Sequence, residues 1–242
     1  VRSRRQRQMC IRDSPISEPQ FTYCRKKFWE EYFVNKPSTG RLGPKAARTK
    51  ANILATATRL VADSGFAGAT ARNVAEAAGI ATGTIYRFYG SLEELHSEVF
   101  RKVATVEFLA VEKAVRGEQF VRNQILTLVD VFSSRALRSR NLAEALLFEP
   151  VNPFVEQERL VYRSKYHELL ADVIRNGIEG GEIPPQDSDL SARALVGAIA
   201  ESLMGRLAPP QAEPKNDIQM TKMITHIGHF CLRAIGAETE NH

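Results

Sequence analysis

Cysteine is scarce in this sequence, with three in 242 residues, and nothing pairs them. Cys10 falls in a segment set aside below. Cys24 and Cys231 show neither disulfide nor metal-ligand spacing. A reducing, cytoplasmic setting fits that usage. Long apolar runs are missing too. No stretch approaches the roughly 18 residues a membrane span needs, and no secretory apolar segment is visible, so no membrane partner is expected. A phosphate-cradling glycine loop, an HExxH pair, a nucleophile elbow and a CxxC pair are all absent. Catalysis therefore has no support, and no cofactor is expected. His226 and His229 sit three apart with no third ligand, so they read as a polar helix face and no metal site is assigned. There is no internal repeat and no low-complexity tract.

A surplus of one charge sign is also lacking once the opening residues are set aside. Residues 4–14, RRQRQMCIRDS, resemble the translation of a sequencing-library adapter. Residues 1–33 are accordingly expected to be an artefact or a disordered extension, outside the fold. The whole chain has 33 basic against 28 acidic side chains. Residues 1–33 hold eight and four of these, which leaves 25 against 24. Overall basicity thus says nothing about a partner, but its distribution does. Residues 41–90 carry Arg41, Lys45, Arg48, Lys50, Arg59, Arg72 and Arg87 against only Asp63 and Glu76. A basic patch on a balanced chain is an electrostatic footprint for a polyanion.

The organisation is helical from end to end. Ile53, Leu54, Ala57, Leu60 and Val61 form one stripe of an amphipathic helix, which is expected to stop at Ser64-Gly65 with Phe66 folding back. Thr70 suits the N-cap of a second helix with Val74, Ala75 and Ala78 inward. Gly79 follows as a positive-φ turn, and Ile80 plugs the core beyond it. A short helix over about 82–88 comes next, and Ser91-Leu92-Glu93-Glu94 is a capping box that launches a long fourth one. This succession is the grammar of the helix-turn-helix. Its small first turn, Thr82-Gly83-Thr84, lets a helix N-terminus approach phosphate. Tyr86 and Tyr89 can donate to phosphate oxygens, and Arg87 can pair with phosphate or read guanine. Ile85 and Phe88 point back to hold the helix down. The DNA-facing set is read as Arg48, Lys50, Thr70, Arg72, Thr82, Gly83, Thr84, Tyr86, Arg87 and Tyr89.

Residues 47–107 resemble the TetR family of bacterial transcriptional repressors, with the helix-turn-helix motif at 70–89. The family pattern is met by Ile53, Leu54, Ala57, Leu60, Gly65, Thr70, Val74, Ala75, Ala78, Gly79, Gly83, Thr84, Ile85, Tyr86 and Leu95. Two positions depart from it. Ala81 stands where the family caps its recognition helix with Ser or Thr, so Thr82 is a substitute cap. Leu92 replaces a lysine that contacts phosphate in the family, which should lower affinity and leave specificity alone. The resemblance implies an all-α protein, in which residues 108–236 form an effector-binding and dimerisation domain. It also implies a homodimeric repressor, bound to an inverted-repeat operator in double-stranded DNA and released by a small-molecule effector of unknown identity. Alternatives are an effector-independent regulator or activator, or a helical protein-interaction module that has lost DNA binding.

The second domain is read more loosely. Asn152 and Pro153 start a helix, and NGIEGGEIPPQDSD (176–189) and LAPPQAEPKND (207–217) are breaks. Two closing helices with small residues are expected to pair with their copies in a four-helix interface. Leu195, Gly197, Ile199, Leu203, Ile224, Ile227 and Cys231 are its expected contacts. Phe108, Phe132, Phe148, Tyr162 and Tyr166 are aromatics that could wall an apolar cavity or simply fill a core.

Overall fold

The computed structural model describes residues 43–207 and 217–237. The adapter-like segment and most of the 207–217 break lie outside the described residues. Those described form nine α-helices and no strand. These are α1 (Pro44–Gly68), α2 (Ala71–Ala78), α3 (Thr82–Tyr89), α4 (Leu92–Arg116), α5 (Val121–Arg138), α6 (Arg140–Leu147), α7 (Pro153–Glu179), α8 (Ser188–Leu203) and α9 (Asp217–Ala234).

Local chemistry sets most of the boundaries. The regular part of α1 ends where Ser64 leaves helical geometry (φ −143°) and Gly65 takes φ 71°, which glycine alone adopts without strain. Phe66 then opens one further turn. Thr70 accepts from the Asn73 amide at 3.2 Å and caps α2, while Gly79 (φ 66°) closes it by donating to Ala75 and Glu76 carbonyls. Ser91 accepts from the Glu94 amide at 3.1 Å to start α4. Asn152 accepts from the amides of Phe154 and Val155 ahead of α7, with Pro153 in the first turn where its missing N–H costs nothing. Asp187 does the same for α8 through Asp189 and Leu190.

Helices α1–α3 close over a small core in which Ile53, Ala57, Val61, Val74, Ile85, Leu95 and Val99 are all fully buried. Each larger aliphatic side chain there contributes about 1.5–3 kcal/mol by leaving water. Helix α4 is 25 residues long and continuous, so the expected boundary at 107/108 falls inside it. Its first half (Leu95, Val99) closes the core under α1–α3 and its second half (Val111, Val115) lies in the larger part, and the two are continuous, a single apolar cluster. In that larger part α4 packs on α5 and α7, α7 on α8, and α9 on α5. Helix α4 thus joins α1–α3 to the rest of the chain as a continuous rod.

Candidate nucleic-acid interface and interior cavity

The recognition helix, α3, is presented by the three around it. Asn52 of α1 donates to the Ala78 carbonyl at 3.3 Å, tying α1 to the end of α2 just before the turn. Ile80 donates its amide to the Ala75 carbonyl at 3.0 Å, closing that turn. Ile85 then seats α3 with no exposed surface. What remains outward is Thr82, Gly83, Tyr86 and Arg87, and Arg48 and Arg72 are exposed as well. A Cβ built on Gly83 would meet nothing within 4 Å, so the space beside the first turn is open. Thr84 is half-buried beneath it. The guanidinium of Arg87 lies 5.2 Å from the Phe88 ring centroid, which steadies its stem and leaves its donors free to point outward.

The N-cap of α3 is Ala81, whose methyl accepts nothing. Helix α3 starts at Thr82, so the expected substitution of Thr82 as cap does not occur, and the first-turn amides of Thr82 and Gly83 carry no side-chain partner. Those amides are oriented to donate to an anion.

Two members of the expected set are placed differently. Tyr89 is buried, with 3% of its surface exposed, and its hydroxyl donates to the Lys50 carbonyl at 3.2 Å. Burial, and to a lesser degree Glu98, pushes that phenol well above its ordinary range. It is a core strut for α3 and cannot reach a phosphate. Lys50 is half-buried, 4.9 Å over the Tyr89 ring and 3.4 Å from Glu98, so its charge is already partly matched. Thr70 is exposed, but its hydroxyl oxygen is engaged in capping α2.

A cavity of about 420 Å³ opens inside the large core between α4, α5, α6, α7 and α8. Phe132, Phe148, Tyr162 and Tyr166 line it, while Phe108 stands one layer back with its ring 5.2 Å from that of Tyr166. Among these apolar walls sit a few polar groups. Arg135 grips Glu107 with both prongs, at 2.5 and 2.9 Å, and that hydrogen-bonded pairing raises the guanidinium further above its ordinary value. Tyr166 is pushed up mainly by burial and stays neutral. Arg159 donates to the carbonyls of Leu146 and Glu149, both at 2.8 Å. The exposed guanidinium of Arg163 meets no carboxylate among the described residues. No element holds more than a few of these groups, so periodicity within one helix could not reveal Glu107, Arg135, Arg159 or Arg163.

The side chains expected to face a second copy mostly face their own chain. Leu195, Ile199, Leu203, Ile227 and Cys231 are buried within the single subunit, and Ile224 is half-buried. An apolar stripe on a helix marks the buried face, and in α8 and α9 that face meets α5, α6 and α7. Gly197 lines the cavity, with open space where a Cβ would be. The outward residues of these two helices include Leu190, Arg193, Ala194 and Glu201 on α8, and Ile218, Lys222, His226 and Phe230 on α9. His167 is buried and ties α7 to the Asp189 carbonyl at 3.1 Å.

Residues 53–99 match the family of bacterial regulatory proteins called tetR. The chain is 28% identical over 164 residues to the HTH-type transcriptional repressor KstR2 of Rhodococcus jostii, covering 66% of this chain and 79% of that protein. It is 23% identical over 159 residues to the fatty acid metabolism regulator protein of Bacillus subtilis, covering 62% and 79%. Among solved structures, that of FadR from Bacillus subtilis in complex with stearoyl-CoA superposes with a TM-score of 0.65 at 20% identity, over 76% of this chain and 98% of that one. The structure of AibR with isovaleryl coenzyme A and operator DNA gives 0.57 at 16% identity, over 74% and 97%. At such identities these two likenesses speak to the fold.

Proposed function

We propose, from the premise that residues 53–99 are the DNA-binding domain of a tetR-family bacterial regulator and that the chain is a DNA-binding transcriptional regulator, that it is a homodimeric repressor released by an amphiphilic acyl thioester. One observation carries the DNA half of this reading. The α3 N-terminus is uncapped and open beside Gly83, with Thr82, Tyr86 and Arg87 outward on a basic surface. Its amides and Arg48 and Arg72 hold phosphates, and Arg87 with Tyr86 reads the major groove. Residues 47–107 act as the DNA-binding domain and 108–236 as the effector and dimerisation domain.

The effector class is supported by the cavity. Its walls are mainly hydrocarbon, it is large enough for an acyl chain, and Arg159 and Arg163 offer positive charge to an anionic head. Stearoyl-CoA in FadR and isovaleryl coenzyme A in AibR are ligands of that chemistry held by the same fold. The two-fold pairing uses the outward edges of α8 and α9, centred on Ala194 and Phe230. One conformation spaces the two copies of α3 for successive major grooves, and the effector favours another spacing. The reading includes no catalytic step.

Footprinting on DNA flanking the protein's own coding region, with and without acyl-CoAs of graded chain length, is the test. Expected are protection of an inverted repeat, a steep loss of affinity with salt, and release by one chain-length range. Absence of any salt-dependent DNA binding would favour the helical interaction module instead.

A further inference from the structure

Between the cavity and the helix-turn-helix stands one carboxylate. The break of α1 at Ser64-Gly65 leaves Phe66 and Ala67 as first residues of a new turn, and such amides have no helical acceptor of their own. Glu149, just beyond the C-terminus of α6, supplies both. Its Oε2 accepts from the Phe66 amide at 2.9 Å and its Oε1 from the Ala67 amide at 2.8 Å, across 83 and 82 residues of chain. A Cβ on Gly65 would lie 2.5 Å from the same carboxylate, so glycine there serves the close approach as well as the positive φ.

The turn it grips determines where α2 begins. Phe66 is buried with its ring 5.3 Å from that of His96, and His96 Nε2 lies 2.9 Å from the Ala69 carbonyl. Asn73 donates from its side chain back to the Gly68 carbonyl at 2.9 Å. The first helix of the DNA-binding pair is thus positioned through a turn whose amides end on Glu149.

On its other side Glu149 is held by the cavity wall. Its amide donates to the Glu144 carbonyl at 3.0 Å, and its carbonyl accepts from Arg159 at 2.8 Å. Arg159 simultaneously donates to the Leu146 carbonyl, 2.8 Å away, and pairs with Glu156 at 2.6 Å. Helix α6, eight residues long, puts Leu142, Ala143, Leu146 and Leu147 on the cavity, and Arg159 faces the same space. Neither residue was recognisable from sequence.

We infer that Glu149 is the positioning residue that couples the cavity to the helix-turn-helix, with Arg159 holding it in place through the C-terminus of α6. The inference rests on the cavity being the effector site. An anionic head that draws the Arg159 guanidinium inward takes it from the carbonyls of Leu146 and Glu149. The carboxylate then withdraws from Phe66 and Ala67, and α2 and α3 lose their fixed orientation.

The test needs neither operator nor effector in its first arm. Hydrogen–deuterium exchange of the full-length protein, read in peptides spanning 64–70, is compared for wild type, Glu149→Gln, Glu149→Ala and Arg159→Lys. Losing a charge-assisted bond from each amide should speed exchange there by about tenfold or more in Glu149→Ala, with Glu149→Gln between. Arg159→Lys, which keeps the charge but loses the fork, should speed exchange in the same peptides although residue 159 touches none of them. Peptides from α8 and α9 serve as the folding control and should not change. Unaltered exchange at 64–70 in Glu149→Ala, or in Arg159→Lys, overturns the inference. In the second arm stearoyl-CoA is the probe. Wild-type DNA affinity should fall on adding it and that of Glu149→Ala should respond at least severalfold less, whereas an equal response in the variant overturns the coupling. If stearoyl-CoA fails to bind wild type, the acyl-thioester reading falls, and the exchange arm alone decides the role of Glu149.

Discussion

The helices proposed to face DNA and those that enclose the cavity are built from the same residue types but offer opposite kinds of surface. In α1–α3 the proposed DNA-binding surface is convex and local. Thr82, Gly83, Tyr86 and Arg87 lie within six residues of one helix, and their exposure follows from Ile85 pointing the other way. In α4–α8 the proposed effector surface is concave and assembled from five helices, and Arg135 there is held by Glu107 of another helix. A convex site can be changed one side chain at a time without touching the core. A concave site shares its walls with the core, so each residue there serves packing and binding together.

That contrast can be broken most forcefully from beneath. Ile85→Ala removes a fully buried side chain from the small core and should cost about 2–5 kcal/mol. If this end of the continuous core can open by itself, thermal melting with exchange readout should show α2 and α3 opening while α5 and α7 stay protected. Loss of protection throughout the chain would mean that the rigid α4 makes the regions one cooperative unit.

From the exposed side, Arg87→Ala should leave the melting temperature unchanged and cost about 1–3 kcal/mol of DNA binding if the guanidinium reads a base. Relaxed preference at one operator position should accompany it. A uniform loss across sequences would assign Arg87 to phosphate.

The cavity offers the matching experiment. Gly197→Leu projects a side chain into open space on its wall, and should reduce effector affinity by roughly tenfold or more, about 1.4 kcal/mol. It should leave the protein dimeric in sedimentation, because Gly197 faces the cavity. A monomeric variant would restore the expectation that Gly197 belongs to the subunit interface.

Smaller effects sharpen the assignment of single residues. Tyr89→Phe deletes the hydrogen bond to the Lys50 carbonyl, which should lower stability by about 1 kcal/mol without altering the operator sequence preferred. The pH dependence should be slighter still. In the folded chain burial lowers the His96 pKa below its ordinary 6.5, outweighing the Ala69 hydrogen bond and the attraction of Glu93 and Glu149. As pH falls, the unfolded chain therefore takes up this proton first. Stability should be full above about pH 6.5 and decline below it until the folded ring titrates too. His96→Gln should flatten that part of the melting profile, and an unchanged slope would remove His96 from the account.

How much was legible follows the same division. The break at Ser64-Gly65, the caps at Thr70, Ser91 and Asn152, and the Gly79 turn are short-range signals, and each stands in the structure where the residues put it. Tyr89 was misread because a tyrosine beside Tyr86 and Arg87 reads as one more phosphate donor. Only the packing of α3 on α1 shows that its ring points inward. The stripe Leu195, Ile199, Leu203 was correctly an apolar face, but an apolar stripe does not say whether it meets its own chain or another.

Sequence by itself determined what depends on a few neighbouring residues: helix starts and stops, which face of α3 is polar, where the basic charge concentrates, and the helix-turn-helix that results. Tertiary structure alone decided what depends on residues meeting across the chain. It turned the α8 stripe inward, opened a cavity at Gly197, and buried Tyr89 against Lys50. It also carried Glu149 across 83 residues to the Phe66 amide. The physical reason is range. Backbone capping and helical periodicity act over three or four positions, whereas a cavity or a cross-chain carboxylate exists only once several helices have packed.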